Sequence, residues 1–122
     1  MMVQGKILLI GSEVMMITLL KVLLESKGHC VLVARCIHEA LKSLQIDRVD
    51  IVVFDVNYLE IDIVTTIAEI HRMLDVPLIV LSSITSRTVM QQAEEAGASV
   101  YLTKPFSAQS FLDAITKQLP QA

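Results

Sequence analysis

The sequence predicts an α/β domain in which one open parallel sheet is wrapped by helices on both faces. Three observations predict it. Short apolar runs recur along the whole chain, and stretches with apolar residues every three or four positions separate them. The central stretch Val49–Asn57, VDIVVFDVN, is a β-branched run without polar alternation, as a strand covered on both faces requires. Five strand–helix units fill 122 residues, which leaves room for right-handed crossovers and little else.

Taken in order, Lys6–Ile10 (KILLI) is a strand stopped by Gly11-Ser12. Ser12 is placed to cap the helix that follows. In that helix Met16, Leu19, Leu20, Leu23 and Leu24 are expected to form one buried face, and Gly28 ends it. Cys30–Ala34 is the second strand, followed by a helix marked by Ile37, Ala40, Leu41 and Leu44. The third strand ends at Asp55. Ile63, Ile67, Ile70 and Leu74 mark the third helix, stopped at Asp75-Val76-Pro77. Leu78–Leu81 is a fourth buried strand leading to Ser82-Ser83. Val89, Ala93 and Ala96 line the fourth helix, with Gly97 past its end. Val100–Leu102 is the fifth strand, and Ala108, Phe111, Leu112, Ile115 and Leu119 mark the last helix. The economical arrangement is a doubly wound sheet of order 2-1-3-4-5 with its switch point between the first and third strands. The chain reads as one domain, residues 1–122, with a core over 6–119.

Composition narrows the function classes. Apolar residues make up 53% and charged residues 19%, as in a globular domain. A net charge of −3 with scattered basic residues argues against direct nucleic-acid binding. The longest apolar stretch, Val14–Leu24, is interrupted by Thr18 and Lys21 and is too short to span a membrane. No signal-peptide pattern opens the chain, so a cytoplasmic location is expected. Cys30 and Cys36 match no metal-ligand spacing and are expected to be buried free thiols. His29, His38 and His71 share no motif and receive no site.

The predicted topology collects Gly11, Ser12, Asp55, Ser82 and Lys104 at the carboxyl edge of the sheet, where open α/β sheets bind ligands. A carboxylate there can accept a phosphoryl group as an acyl phosphate. A nearby ammonium and hydroxyl can hold the phosphoryl oxygens. Pro105 restricts the backbone of Lys104 and helps to fix where its side chain points.

With these residues in place the chain resembles the receiver domain of bacterial two-component response regulators over essentially all of Lys6–Leu119. The resemblance rests on Asp55 after an apolar strand, LIVLSS ending at Ser82, and GASVYLTKPF carrying Tyr101, Lys104 and Pro105. It implies a flavodoxin-like (βα)5 sandwich and a signalling domain rather than an enzyme. It also implies phosphoryl transfer from a phosphohistidine to Asp55 with Mg²⁺, held by Asp55 and the backbone carbonyl of Asn57. Ser82 stands at the family's Ser/Thr position, Lys104 at its invariant lysine and Tyr101 at its aromatic switch. The peptide before Pro105 is expected to be cis. The implied partners are a sensor histidine kinase or phosphotransfer protein and an output protein or domain.

The sequence departs from the family where two consecutive acids normally follow the first strand, because Gly11 and Ser12 stand there. Magnesium wants hard oxygen ligands and usually one or two carboxylates. Asp55 is then the only assured carboxylate, with Glu13 expected to point away, so Mg²⁺ binding should be weak or lost and phosphorylation slow or absent. Tyr58 and Leu59 are expected to flank the pocket. Ser99-Val100 replaces a commonly acidic pair, which argues against the family's salt-bridged dimer. Val14, Met15, Ile17 and Val22 widen the apolar surface of the first helix, either as extra packing or as a partner surface. Two functional classes follow: a phosphorylation-gated switch, or a pseudo-receiver that binds proteins without phosphorylation. An unrelated enzyme using Asp55, Ser82 and Lys104 is disfavoured, because no glycine-rich phosphate loop follows any strand.

Overall fold

The computed structural model describes residues 4–56 and 62–119. Five strands alternate with five helices: β1 (Lys6–Ile10), α1 (Val14–Ser26), β2 (Cys30–Ala34), α2 (Ile37–Ile46), β3 (Ile51–Asp55), α3 (Ile63–Met73), β4 (Leu78–Ser82), α4 (Arg87–Ala96), β5 (Val100–Thr103) and α5 (Ala108–Gln118). All strand pairs are parallel and the order is β2-β1-β3-β4-β5, as the sequence predicts. Strands β4 and β5 each run one residue further than their apolar runs, to Ser82 and Thr103. No helix among the described residues is long and apolar enough to cross a membrane.

The two-residue period of the strands divides the core into two layers. Ile7, Leu9, Ile51, Val53, Ile79 and Leu81 face α1 and α5. Leu8, Ile10, Val52, Phe54 and Val80 face α2, α3 and α4. Every residue of β3 and β4 is buried, and this double covering explains why neither strand alternates. Ser86 and Ser107 cap α4 and α5, accepting from the amides of Val89 and Ser110. Gly28 and Gly97 follow α1 and α4 at φ of 87° and 131°, where a side chain would be strained.

Three expectations are corrected. Glu13, not Ser12, is the residue before α1, and it makes no side-chain capping bond. The buried residues of α1 are Ile17, Leu20 and Leu24, whereas Leu19 is 54% exposed. This helix is apolar nearly all round, so its sequence leaves its rotation open, and a space beside Gly11 draws Ile17 inward. Cys30 and Cys36 are exposed, because one opens an edge strand and the other precedes α2 at the rim of the sheet.

Candidate functional site

Strands β3, β4 and β5 end side by side, with Asp55 opposite Leu81 and Ser82 opposite Thr103. The amide of Val56 donates to the Leu81 carbonyl and that of Lys104 to the Ser82 carbonyl, both at 2.8 Å. These bonds carry the sheet one residue past its ends and fix the backbone from which two charged side chains leave. The Lys104-Pro105 peptide is cis, as expected.

Lys104 reaches across the end of β4. Its Nζ lies 2.5 Å from Asp55 Oδ1 and donates to the Val56 carbonyl at 3.2 Å. The Asp55 side chain is 2% exposed and that of Lys104 is 19% exposed. Asp55 Oδ1 is nevertheless without a hydrogen-bond partner among the described residues. The ammonium is the charged group that meets this oxygen, and their attraction is strong in so buried a place.

Ser82 is fully buried on the neighbouring strand, and its hydroxyl accepts from the Ile84 amide at 3.1 Å. Tyr101, half-buried against the α2–α4 layer, donates its hydroxyl to the Ile84 carbonyl at 2.8 Å. One residue of the β4–α4 connection is thus gripped from both sides. Asp55 and Lys104 meet directly, whereas Ser82 and Tyr101 converge on Ile84.

Gly11 lies against the other flank of Asp55. A Cβ built there would stand 3.1 Å from the Asp55 Cβ and 2.7 Å from Ile17 Cδ1. Ser12 and Glu13 are exposed. Asp62 turns away from the site and caps α3, accepting from Thr65 through its amide and hydroxyl. The Thr65 hydroxyl, then its amide, hold the Asp62 carboxyl below its usual range. Asn57, with Tyr58 and Leu59, lies outside the described residues.

A pocket of about 220 Å³ opens beside Asp55, lined also by Gly11, Ser12, Arg35, Cys36, Ile37 and Thr66. Sequence reasoning missed Arg35, Cys36 and Thr66. The signal available was the parallel order itself, which brings the residues after β2 to the same edge as Asp55. Among the described residues, no group of three or more His, Cys, Asp or Glu side chains is placed to hold a metal ion.

The response regulator receiver domain family matches residues 7–116. The chain belongs to that family. The receiver is 34% identical over 104 residues to the transcriptional regulatory protein KdpE of Staphylococcus aureus, covering 85% of this chain and 45% of that protein. The chain therefore spans about half the length of this curated relative. In fold it is similar to a two-component response regulator from Clostridium difficile, with a TM-score of 0.87 and 23% identity, covering 93% of this chain and 94% of that one. It is also similar to the receiver domain of the Pseudomonas aeruginosa sensor histidine kinase PA1611, with a TM-score of 0.80 and 23% identity, covering 95% and 98% of the two chains. In the PA1611 structure a magnesium ion is coordinated in the active site cleft.

Proposed function

We propose that this receiver serves a two-component pathway with Asp55 at the phosphoacceptor position and a degenerate metal site. In the transfer, the phosphorus–nitrogen bond of a phosphohistidine would break as a phosphorus–oxygen bond forms to the Asp55 carboxylate. Lys104 would meet the incoming negative charge as a point charge. The observation that carries the reading is the pairing of Asp55 with Lys104 on one flank while Gly11 and Ile17 close the other. A divalent cation favours several hard oxygens. Here the described surroundings of Asp55 offer it two cationic side chains, Lys104 and Arg35, a glycine, the end of an isoleucine and, for oxygens, only the hydroxyls of Ser12 and Thr66 and backbone carbonyls. The described residues do not fit the magnesium that the family implies.

A second reading, a cytoplasmic interaction module independent of phosphorylation, draws on Ile84. The hydroxyls of Ser82 and Tyr101, which the family resemblance assigns to the switch, are both committed to that residue. In the first reading the partners are a histidine kinase or phosphotransfer protein and an output protein or domain; in the second the partner is a protein bound without phosphoryl transfer.

Incubation with a small acyl-phosphate donor and millimolar Mg²⁺, followed by intact mass, tests the proposal. The expected result is a slow, substoichiometric adduct on Asp55 that is absent from Asp55→Asn and faster in Gly11→Asp/Ser12→Asp. Rapid stoichiometric labelling of the unaltered chain overturns the degenerate-site reading. No adduct on any variant favours the interaction module.

A further inference from the structure

We propose that Arg35 takes the role that the family gives to a divalent cation, so that phosphoryl transfer to Asp55 proceeds on a guanidinium and without metal. The inference rests on the reading of Asp55 as the phosphoacceptor position. β2 and β3 both flank β1, and Ile10 of β1 is in register with Ala34 on one side and Phe54 on the other. The next residues, Arg35 and Asp55, therefore stand level at the carboxyl edge, two strand spacings or about 10 Å apart. Gly11 follows Ile10 between them and contributes no side chain. Its amide donates to the Ala34 carbonyl at 2.9 Å, which holds the end of β2 against β1.

Arg35 and Asp55 line the same cavity of about 220 Å³. The Arg35 backbone is anchored, because its amide donates to Glu39 Oε2 at 2.8 Å. Its guanidinium forms no ion pair with a carboxylate among the described residues, neither with Glu39 nor with Glu13, which lines a second cavity with it. An acid at position 11 or 12 would compete for this guanidinium. Gly11 and Ser12 do not, and they leave it for an anion that enters the cavity.

That anion is the phosphoryl group. With acetyl phosphate as donor, the bond from phosphorus to the acetyl oxygen breaks, a bond from phosphorus to an Asp55 carboxylate oxygen forms, and acetate leaves. Catalysis of such a transfer is almost wholly positioning and electrostatic stabilisation. A phosphoryl group brings about two negative charges. Lys104 meets Asp55 from the side of β4 and β5, and Arg35 faces it across Gly11, so one cation stands on each flank. Lysine supplies a point charge, whereas the planar fork of arginine can grip two phosphoryl oxygens at once.

Intact-mass time courses with acetyl phosphate, run in excess EDTA and in millimolar Mg²⁺, test this. The unaltered chain is expected to label at the same slow rate in both. Arg35→Gln should label about tenfold more slowly in both, and Arg35→Lys should fall between them, because it keeps the charge without the fork. Arg35 is exposed, so the circular dichroism spectrum of either variant should stay unchanged. In phosphorus NMR the adduct should titrate at lower pH in the unaltered chain than in Arg35→Gln, since a cation touching the phosphoryl group favours its more charged form. Equal labelling of Arg35→Gln and the unaltered chain, or equal titration of their adducts, overturns the proposal and leaves Asp55 as the phosphoacceptor. Labelling of the unaltered chain only with Mg²⁺ overturns it together with the degenerate metal site. No adduct on any chain removes both the proposal and the phosphoacceptor reading.

Discussion

Lys104 and Asp55 are unequal members of their pair. The carboxylate is almost sealed at 2% exposure, while the ammonium keeps a path to water at 19%. Removing the cation leaves a buried negative charge uncompensated, which is the expensive half of breaking such a pair. Lys104→Met is therefore expected to cost about 3 kcal/mol, near the low end of the buried range because Lys104 is part-solvated. Adding Asp55→Asn should return most of that loss, and urea denaturation of the single and double variants measures both. This pair was legible because a strand end fixes where Asp55 stands and Pro105 constrains Lys104. The orientation of the Ser82 hydroxyl was not, since it depends on where the Ile84 amide falls. Arg35, Cys36 and Thr66 were missed because no strand-end carboxylate or lysine drew attention to them.

Among the elements, α1 separates what periodicity can read from what packing decides. Its apolar residues satisfy more than one stripe, and a rotation of the helix exchanges Leu19 for Ile17 in the core. The two positions should respond differently to truncation. Ile17→Ala opens a cavity beside Gly11 and Asp55 and is expected to cost about 2–4 kcal/mol. Leu19→Ala, on the exposed face, should stay within about 0.5 kcal/mol. Thermal or chemical denaturation decides the matter, and equal losses would contradict the observed rotation. The strands were easier to read. β3 and β4 announce their double burial by lacking alternation, whereas β2, similarly apolar, sits at the edge, and its composition alone gave no sign of its exposed Cys30 and Val33.

At the scale of the molecule, the order of strands followed from chain length and unit repetition, and the two-layered core followed from the order. The pH dependence of folding hinges on a residue that the sequence left without a role. His29 is 7% exposed, and its Nδ1 accepts from the Gly5 amide at 3.1 Å, a bond available only to the neutral ring on that nitrogen. Burial pushes its pKa below the ordinary imidazole value near 6.5. The unfolded chain then binds a proton more readily than the folded one. This contribution to stability is complete above pH 6.5 and is lost as pH falls through the lower folded value. The midpoint of thermal unfolding should drop across that window, and His29→Gln should flatten the slope there.

The contact between Gly11, Ile17 and Asp55 also bears on the proposed Gly11→Asp variant. A Cβ introduced at position 11 would stand 2.7 Å from the tip of Ile17 and 3.1 Å from the Asp55 Cβ, so the isoleucine tip must turn aside and Asp55 give slightly. A turn of the Ile17 tip inside its own pocket is the smallest adjustment that admits the new side chain.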